Sequence, residues 1–240
     1  MTAAGRILLN LDQPAEAATA VTGVPTSFAY TMLHSLNTAS NAFWVFNNNA
    51  RRYSVGDNEG TNGLNFVTAN DPRVPVCAGG DTECTAIGVT QTNRDDLSQP
   101  FHVQLLWTER ESSVAIIQGV EARMIEAEAQ LRAGDTTAAL ITLNDARATV
   151  TALTPLTDAG STAARVDQLF RERAFWLFGR GHRVGDLRRL IRDYGRPENT
   201  VFPTGVWHKG GNYGTDVNVP VPQAELNNPN VEQACLNRNA

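Results

Sequence analysis

The clearest pattern of apolar positions runs from Ser113 to Ala133. Its apolar residues recur at steps of three and four, which places them on one face of an amphipathic α-helix. They are Ile117, Val120, Met124, Ala127 and Leu131. Gly134 can adopt the left-handed conformation that ends a helix, and Asp135 can cap a second helix. That helix carries Ala139, Leu143, Ala146 and Val150 on one face. The pattern therefore predicts a helical hairpin.

A related pattern lies near the start of the chain. Residues 9–18 align with residues 131–140, because both segments contain the end of a helix, a short polar turn and the start of an alanine-rich helix. Small residues at such turns let paired helices approach closely, as in tetratricopeptide hairpins, although neither copy has the full consensus. We therefore predict a mainly α protein with tetratricopeptide-like hairpins, long irregular loops and little β structure.

Helical periodicity is lost between the two hairpins. Residues 24–107 are rich in Asn, Gly, Thr and Pro and contain only short apolar runs, which indicates a loop-rich insertion. Aromatic residues are scattered through it and favour ordered loops that pack on a helical scaffold. We expect one domain over residues 1–240, with this insertion inside it.

A third helical region is predicted from Ala163 to Asp193, where apolar and charged residues alternate at helical spacing. Arg183, Asp186 and Arg189 are three residues apart, so in a helix they share a face and can form ion pairs. The interpretation we favour is a structural, salt-bridged helix that also includes Glu172 and Arg173. The alternative is a cluster of arginines that binds a ligand.

Composition and charge argue against nucleic acid as a partner and against a membrane-spanning segment. The chain is 42% hydrophobic and 19% charged, as in ordinary globular proteins, and its net charge is −5. A mildly acidic protein lacks the positive field that holds a phosphate backbone, which argues against nucleic acid. No apolar stretch approaches the roughly 20 residues needed to cross a bilayer.

The cysteines suggest one local disulfide. Cys77 and Cys84 flank a short polar segment that can fold back and bring the two thiols together. Such a bond would place the chain in an oxidising compartment. Cys235 is left over, as a free thiol or as a residue whose partner lies elsewhere. The four histidines are too scattered for a zinc site, and we predict neither a metal nor a cofactor.

Three ordered stretches resemble signatures of the SusD/RagB family of outer-membrane nutrient-binding lipoproteins. The first is EARMIEAEA at residues 121–129, followed by LNDAR at 143–147. The second is ERAFWLF at 172–178 with GHRVGDLRR at 181–189. The third is VPVPQAEL at 219–226 with NP at 228–229. The resemblance covers residues 113–229, and a looser resemblance is found in the first hairpin.

The resemblance implies a SusD-like superhelix of α-hairpins that binds a glycan or another nutrient at the cell surface. It also implies delivery of that ligand to a TonB-dependent transporter in the outer membrane. Full members begin with a secretion signal, a lipid-modified cysteine and further helical repeats, and this sequence starts inside a hairpin without them. We therefore expect membrane association only through that missing anchor.

Sugar binding needs aromatic faces for stacking and polar side chains that bond hydroxyl groups. Such residues concentrate in one predicted loop, and the candidates for ligand binding are Trp44, Asn48, Arg52, Tyr53 and Asp57. The alternative is that the aromatic members form the core of that loop.

No catalytic residues are predicted, because the sequence has no nucleophile elbow, no HExxH motif, no P-loop and no GxGxxG motif. Two other functions stay open beside nutrient binding. One is a tetratricopeptide-like scaffold for protein interactions, and the other is a carbohydrate-active enzyme.

Overall fold

The structure is a computed structural model that describes residues 1–95, 97, 99–219 and 221–230. Cys235 lies outside these residues. The helices are α1 (Thr2–Asn10), α2 (Pro14–Val21), α3 (Thr82–Ala86), α4 (Gly119–Arg132), α5 (Thr136–Ala148), α6 (Thr162–Trp176), α7 (Arg183–Arg192), α8 (Glu198–Val201) and α9 (Gln223–Leu226). The strands are β1 (Ala29–Met32), β2 (Val76–Ala78), β3 (His102–Gln104) and β4 (Val114–Gln118), and residues Trp44–Asn49 form a π-helix. The prediction of a mainly helical protein is confirmed.

Helix α4 is the centre of the scaffold. Helices α1 and α2 form one hairpin, α4 and α5 form another, and α4 packs against α1, α2, α5 and α6. The face of α4 toward the first hairpin buries Ala122 and Ile125. Its other apolar face buries Met124 and Ala127 against α5, α6 and α7. One central helix therefore joins two parts of the hydrophobic core.

Local sequence explains both hairpins. Gly134 has a φ of 84° and ends α4, and the Asp135 carboxylate caps α5 by accepting a hydrogen bond from the Ala138 amide at 2.9 Å. In the first hairpin, a Cβ atom on Gly5 would lie 2.6 Å from Cγ1 of Val21. Glycine at that position is therefore what lets α1 and α2 come so close.

The helix predicted to begin at Ser113 begins instead at Gly119. Residues Val114–Gln118 form β4, which pairs antiparallel with β1, and Tyr30 lies opposite Ile117. The apolar periodicity of such a short run does not distinguish a strand from a helix, but its β-branched residues Val114, Ile116 and Ile117 favour a strand. The Gly119 amide donates to the Phe28 carbonyl at 2.7 Å, and the helix starts there.

The helical region predicted over residues 163–193 is two helices, α6 and α7. Between them, Gly179 and Gly181 have φ angles of 70° and 76°, which are unfavourable for other residues. The chain reverses at this turn, so α7 folds back beside the end of α6. This turn brings charged side chains of the two helices into contact.

The insertion at residues 24–107 is ordered but mostly irregular. Strands β2 and β3 pair antiparallel, and Cys77 forms a disulfide with Cys84 across Cα atoms 5.6 Å apart. The disulfide lies in a small separate core with Val89, Phe101 and Val103. None of the helices in the described part of the chain combines the length and the apolar character needed to cross a membrane.

Candidate functional site

The turn between α6 and α7 is held by buried ion pairs. Arg173 is only 1% exposed, and it donates to Asp186 from Nε at 3.0 Å and from Nη2 at 2.8 Å. Arg189 donates to Asp186 at 3.0 Å and also to Glu128 of α4 at 2.8 Å. Burial raises the pKa of the Asp186 carboxyl, but Arg173 and Arg189 outweigh it and hold the pKa below its ordinary value.

A second set of buried ion pairs fastens the insertion to the helices. Glu172 of α6 accepts from Arg73 at 2.5 Å and from Arg147 of α5 at 2.7 Å. Arg73 also donates to Asp71 at 2.7 Å. The Glu172 carboxylate therefore connects the insertion, through Arg73, with α5 and α6.

His182 lies next to these ion pairs and is only 8% exposed. Its Nδ1 is 3.8 Å from Oε1 of Glu121, which in turn is bound by Arg6 at 2.6 Å. Burial lowers the pKa of His182 to about 4; Arg6 and Arg173 act in the same direction and Glu121 opposes them. The imidazole is therefore neutral at neutral pH, and its buried Nε2 has no hydrogen-bond partner among the described residues.

A cavity of about 420 Å³ lies between the insertion and the turn that joins α6 to α7. Residues 54–66 contribute Ser54, Val55, Glu59, Asn62, Leu64 and Phe66 to one wall. The helical wall includes Ala174, Leu177, His182, Arg183, Val184 and Asp186. The cavity thus combines an apolar lining with a few polar groups, as ligand sites commonly do.

The loop wall of the cavity is fixed by its own hydrogen bonds. Asp57 Oδ1 accepts from the Val67 and Thr68 amides at 2.9 and 3.0 Å. Asn62 donates to the carbonyls of Asn199 and Phe202 at 2.6 and 2.8 Å. Phe66 packs on Phe175 and Phe178 of the helical side, with ring centroids 5.0 and 5.1 Å apart. The cavity is therefore bounded on both sides by anchored structure.

Arg183 is the distinctive cation of this cavity. It is partly buried, and no residue in the described part of the chain forms an ion pair or a hydrogen bond with its side chain. Burial lowers the pKa of its guanidinium group, and the Asp186 charge opposes that effect. Arginine stays protonated in proteins, so Arg183 is a desolvated positive charge that faces open space.

The predicted salt-bridge residues behave in two ways. Glu172, Arg173, Asp186 and Arg189 all form buried ion pairs. Arg183 forms none among the described residues and lines the cavity instead. The helical spacing predicts that Arg183 shares a face with Asp186. In the structure the Arg183 side chain lines the cavity, whose opposite wall is formed by the insertion.

The five predicted ligand-binding residues do not line this cavity. Asn48 is buried and its Oδ1 accepts from Gln104 Nε2 at 3.0 Å, and Asp57 is engaged in its own loop. Hydrogen bonds from Thr68 and Val67 overcome the opposing effect of burial and lower the pKa of Asp57. Trp44 is half-buried with the Arg110 guanidinium 5.7 Å from its ring centroid. Arg52 and Tyr53 are exposed, next to the cavity wall that starts at Ser54.

Sequence reasoning missed His182 and the two acids of α4, Glu121 and Glu128. The available signal was their spacing: Glu121 and Glu128 are seven residues apart and so share the face of α4 that carries buried residues. Charged residues on such a face require buried cations nearby. Arg6 and Arg189 supply them from distant parts of the chain.

The one close group of potential metal ligands among the described residues is Cys77, Asp81 and Cys84. Both sulfur atoms belong to the disulfide, and Asp81 Oδ1 and Oδ2 accept from the Cys84 and Ala78 amides at 2.8 and 2.9 Å. This arrangement is a helix cap that stabilises a loop. It offers no thiolate to a metal ion.

Comparison of the chain with protein-family models, with curated protein sequences and with solved structures finds no match. The interpretation of the cavity accordingly depends on its own geometry and on the motifs in the sequence.

Proposed function

We propose that this chain is a SusD/RagB-like binding protein that captures a saccharide or related nutrient at the outer face of the cell. It would pass that ligand to a TonB-dependent transporter in the outer membrane. The observation that carries the binding role is the cavity between residues 54–66 and the turn joining α6 to α7. Its volume of about 420 Å³ suits a sugar unit of a longer chain.

The arrangement of helices supports the family part of the proposal. Two hairpins pack through α2 and α4, with α6 on the other side of α4. Consecutive hairpins of a tetratricopeptide-like superhelix stack in a similar way. We infer that α1, α2 and α4 to α7 are part of such a superhelix, from which the insertion projects to form the binding surface.

The disulfide supports a location outside the cytoplasm. Cys77 and Cys84 are both buried in the small core of the insertion. Disulfides persist in oxidising compartments and are rare in the cytosol. A surface-exposed protein of the outer membrane would meet that condition.

Binding is favoured over catalysis by the state of the carboxylates in the cavity. Glycoside hydrolysis needs two carboxyl groups, one of which donates a proton. The lining carboxylates among the described residues are Glu59 and Asp186. Asp186 is bound by two guanidinium groups that lower its pKa, so it is a poor proton donor at neutral pH. Both of its oxygens accept hydrogen bonds from these groups, so it is also a poor nucleophile.

Calorimetric titration of the purified chain with a panel of neutral and acidic oligosaccharides tests this proposal. We expect measurable binding of at least one saccharide and no change in its chain length after prolonged incubation. Shortened products that disappear in a Glu59→Gln variant, which changes the exposed carboxylate of the cavity, would instead favour the carbohydrate-active enzyme.

A protein-interaction scaffold is the second candidate, and an exposed apolar surface beside β1 favours it. The large side chains that contribute to this surface are Phe28, Tyr30, Met32, Leu33, Leu36 and Ile116. Surfaces of this kind commonly contact other proteins. A scaffold without a small-molecule ligand would bind none of the saccharides, and its binding to a protein partner would be lost when Tyr30 and Met32 are changed to serine.

A further inference from the structure

Among the described residues that line the cavity, Arg183 is a positive charge that no carboxylate pairs with. Arg6, Arg173 and Arg189 are matched by three carboxylates, those of Glu121, Glu128 and Asp186. Arg183 lies beside this group and brings a fourth guanidinium with no acid of its own in the described part of the chain. A partly buried cation without a partner is costly, and a bound anion would offset that cost.

His182 provides an independent sign of a ligand. It is more than nine-tenths buried and lines the same cavity, yet its Nε2 has no hydrogen-bond partner among the described residues. The carboxylate of Glu121, 3.8 Å from Nδ1, favours the tautomer with the proton on Nδ1. Nε2 is then an acceptor, suited to a hydroxyl group rather than to an anion.

Arg183 also lines a neighbouring cavity of about 330 Å³, together with Arg171 and Arg196. Arg196 is paired with Asp167 at 2.8 Å, whereas Arg171 lies over the Phe175 ring at 4.7 Å. The approach to Arg183 is therefore cationic on the helical side. Such a surface draws anions toward the site.

Glu59 is the opposing charge in the cavity. Its side chain is exposed, and its charge adds to burial in raising the pKa of Tyr213. Its carboxylate is therefore near the segment that follows α8. Exposure to water screens it, so it weakens the positive potential at Arg183 only modestly.

We propose that the cavity binds an acidic saccharide of the uronic acid class, with the sugar carboxylate on Arg183 and a sugar hydroxyl on His182 Nε2. The single unmatched charge fits a carboxylate better than a phosphate dianion. A guanidinium and a carboxylate form two parallel hydrogen bonds. This assignment rests on the proposed function, and it specifies the class of ligand.

Titration calorimetry with three matched probes tests it: a galacturonic acid oligomer, the galactose oligomer of equal length and linkage, and that galactose oligomer phosphorylated at C6. The first two differ at C6, where a carboxylate replaces a hydroxymethyl group. We expect the uronate to bind at least about tenfold more tightly than the other two probes. Arg183→Gln should remove that preference, since it deletes the counter-charge and keeps a polar side chain.

Arg192→Gln is the matched control, because Arg192 is on the same helix, is exposed and pairs only with the adjacent Asp193 in the described structure. It should leave uronate binding within about threefold of the wild type. A purely structural Arg183 would show itself as a fall in melting temperature in Arg183→Gln, whereas we expect that temperature to stay the same or rise.

The outcomes separate the two proposals. Equal binding of the neutral and acidic oligomers, unaffected by Arg183→Gln, would overturn the acidic ligand and leave saccharide binding intact. Tighter binding of the sugar phosphate would overturn the carboxylate assignment. Absence of binding by any saccharide would reject the proposed function together with this inference.

Discussion

Arg173 of α6 and Asp186 of α7 form a two-pronged ion pair, with Nε to Oδ2 at 3.0 Å and Nη2 to Oδ1 at 2.8 Å. The two residues are separated by the turn containing Gly179 and Gly181. Because both side chains are almost fully buried, the pair fixes the position of α7 against α6. The same turn carries His182 and Arg183, so the ion pair also positions the helical wall of the cavity.

Asp186→Asn should reduce the free energy of unfolding by about 3–5 kcal/mol, because it leaves Arg173 and Arg189 short of buried negative charge. Asp167→Asn is the control. Asp167 has a side chain that is 65% exposed and pairs with Arg196, so its loss should cost less than about 1 kcal/mol. Urea denaturation measures both. Similar losses in the two variants would show that the buried ion pair contributes no more to the free energy of unfolding than the exposed one.

The stability of the protein should fall between pH 7 and pH 5 because of His182. Burial lowers its pKa from 6.5 to about 4, so between these values the unfolded chain binds more protons than the folded chain. The stabilisation is complete above pH 6.5 and declines as the pH falls toward 4. The expected loss at pH 5 is roughly 2 kcal/mol.

Urea denaturation at the two pH values measures this effect. His182→Gln should show a smaller difference than the wild type, whereas His208→Gln, which changes an exposed residue, should keep it. An unchanged difference in His182→Gln would assign the pH dependence to other groups.

The sequence correctly predicts helix ends that are determined by residues adjacent in the chain. Gly134 and Asp135 end one helix and start the next, as expected from their local chemistry. The prediction failed at Val114–Gln118, because the choice between helix and strand was made by β1, a partner more than eighty residues away. The break at Gly179 and Gly181 could have been recognised from the two glycines, but the ion pairs that favour the resulting turn are long-range.

The site was less accessible to sequence reasoning than the fold. Arg183 was expected to pair with Asp186 because they share a helix face, yet Arg173 and Arg189 already occupy that carboxylate. Asn48, a predicted ligand-binding residue, is buried, and its side-chain oxygen accepts a hydrogen bond from Gln104 Nε2. Which polar residue faces a cavity depends on what packs opposite it, and the linear sequence does not contain that information.

The disulfide should stabilise the insertion. The bond closes a short loop with a sequence separation of 7 residues, for which chain entropy gives about 2–3 kcal/mol. We expect the double variant Cys77→Ser, Cys84→Ser to lose about that amount in urea denaturation. Alkylation of the unfolded wild type without reductant, followed by mass spectrometry, should leave Cys77 and Cys84 unlabelled. Labelling of all three cysteines would contradict the bond.

Replacing a closely packed glycine and a loosely packed glycine by alanine should change the stability of the protein in opposite directions. A Cβ on Gly119 would lie 1.8 Å from the Pro25 carbonyl oxygen, so Gly119→Ala should destabilise the protein by about 2–3 kcal/mol through a backbone shift. Gly185 in α7 has only Asn10 Oδ1 nearby, at 3.8 Å, and Gly185→Ala should stabilise it by about 0.5–1 kcal/mol. Thermal denaturation compares the two. A stabilising Gly119→Ala would refute the close contact between α4 and the residues before β1.

The most direct test of a ligand site in this cavity is to fill it. Val184 lines the cavity from α7 and is 39% exposed, so a larger side chain fits without disrupting the core. Calorimetric titration should show that Val184→Trp binds the preferred saccharide of the wild type at least about tenfold more weakly, a loss of about 1.4 kcal/mol. Val184→Ala should bind it nearly normally, and both variants should stay folded. Undiminished binding by Val184→Trp, or no saccharide binding by the wild type, would contradict the account.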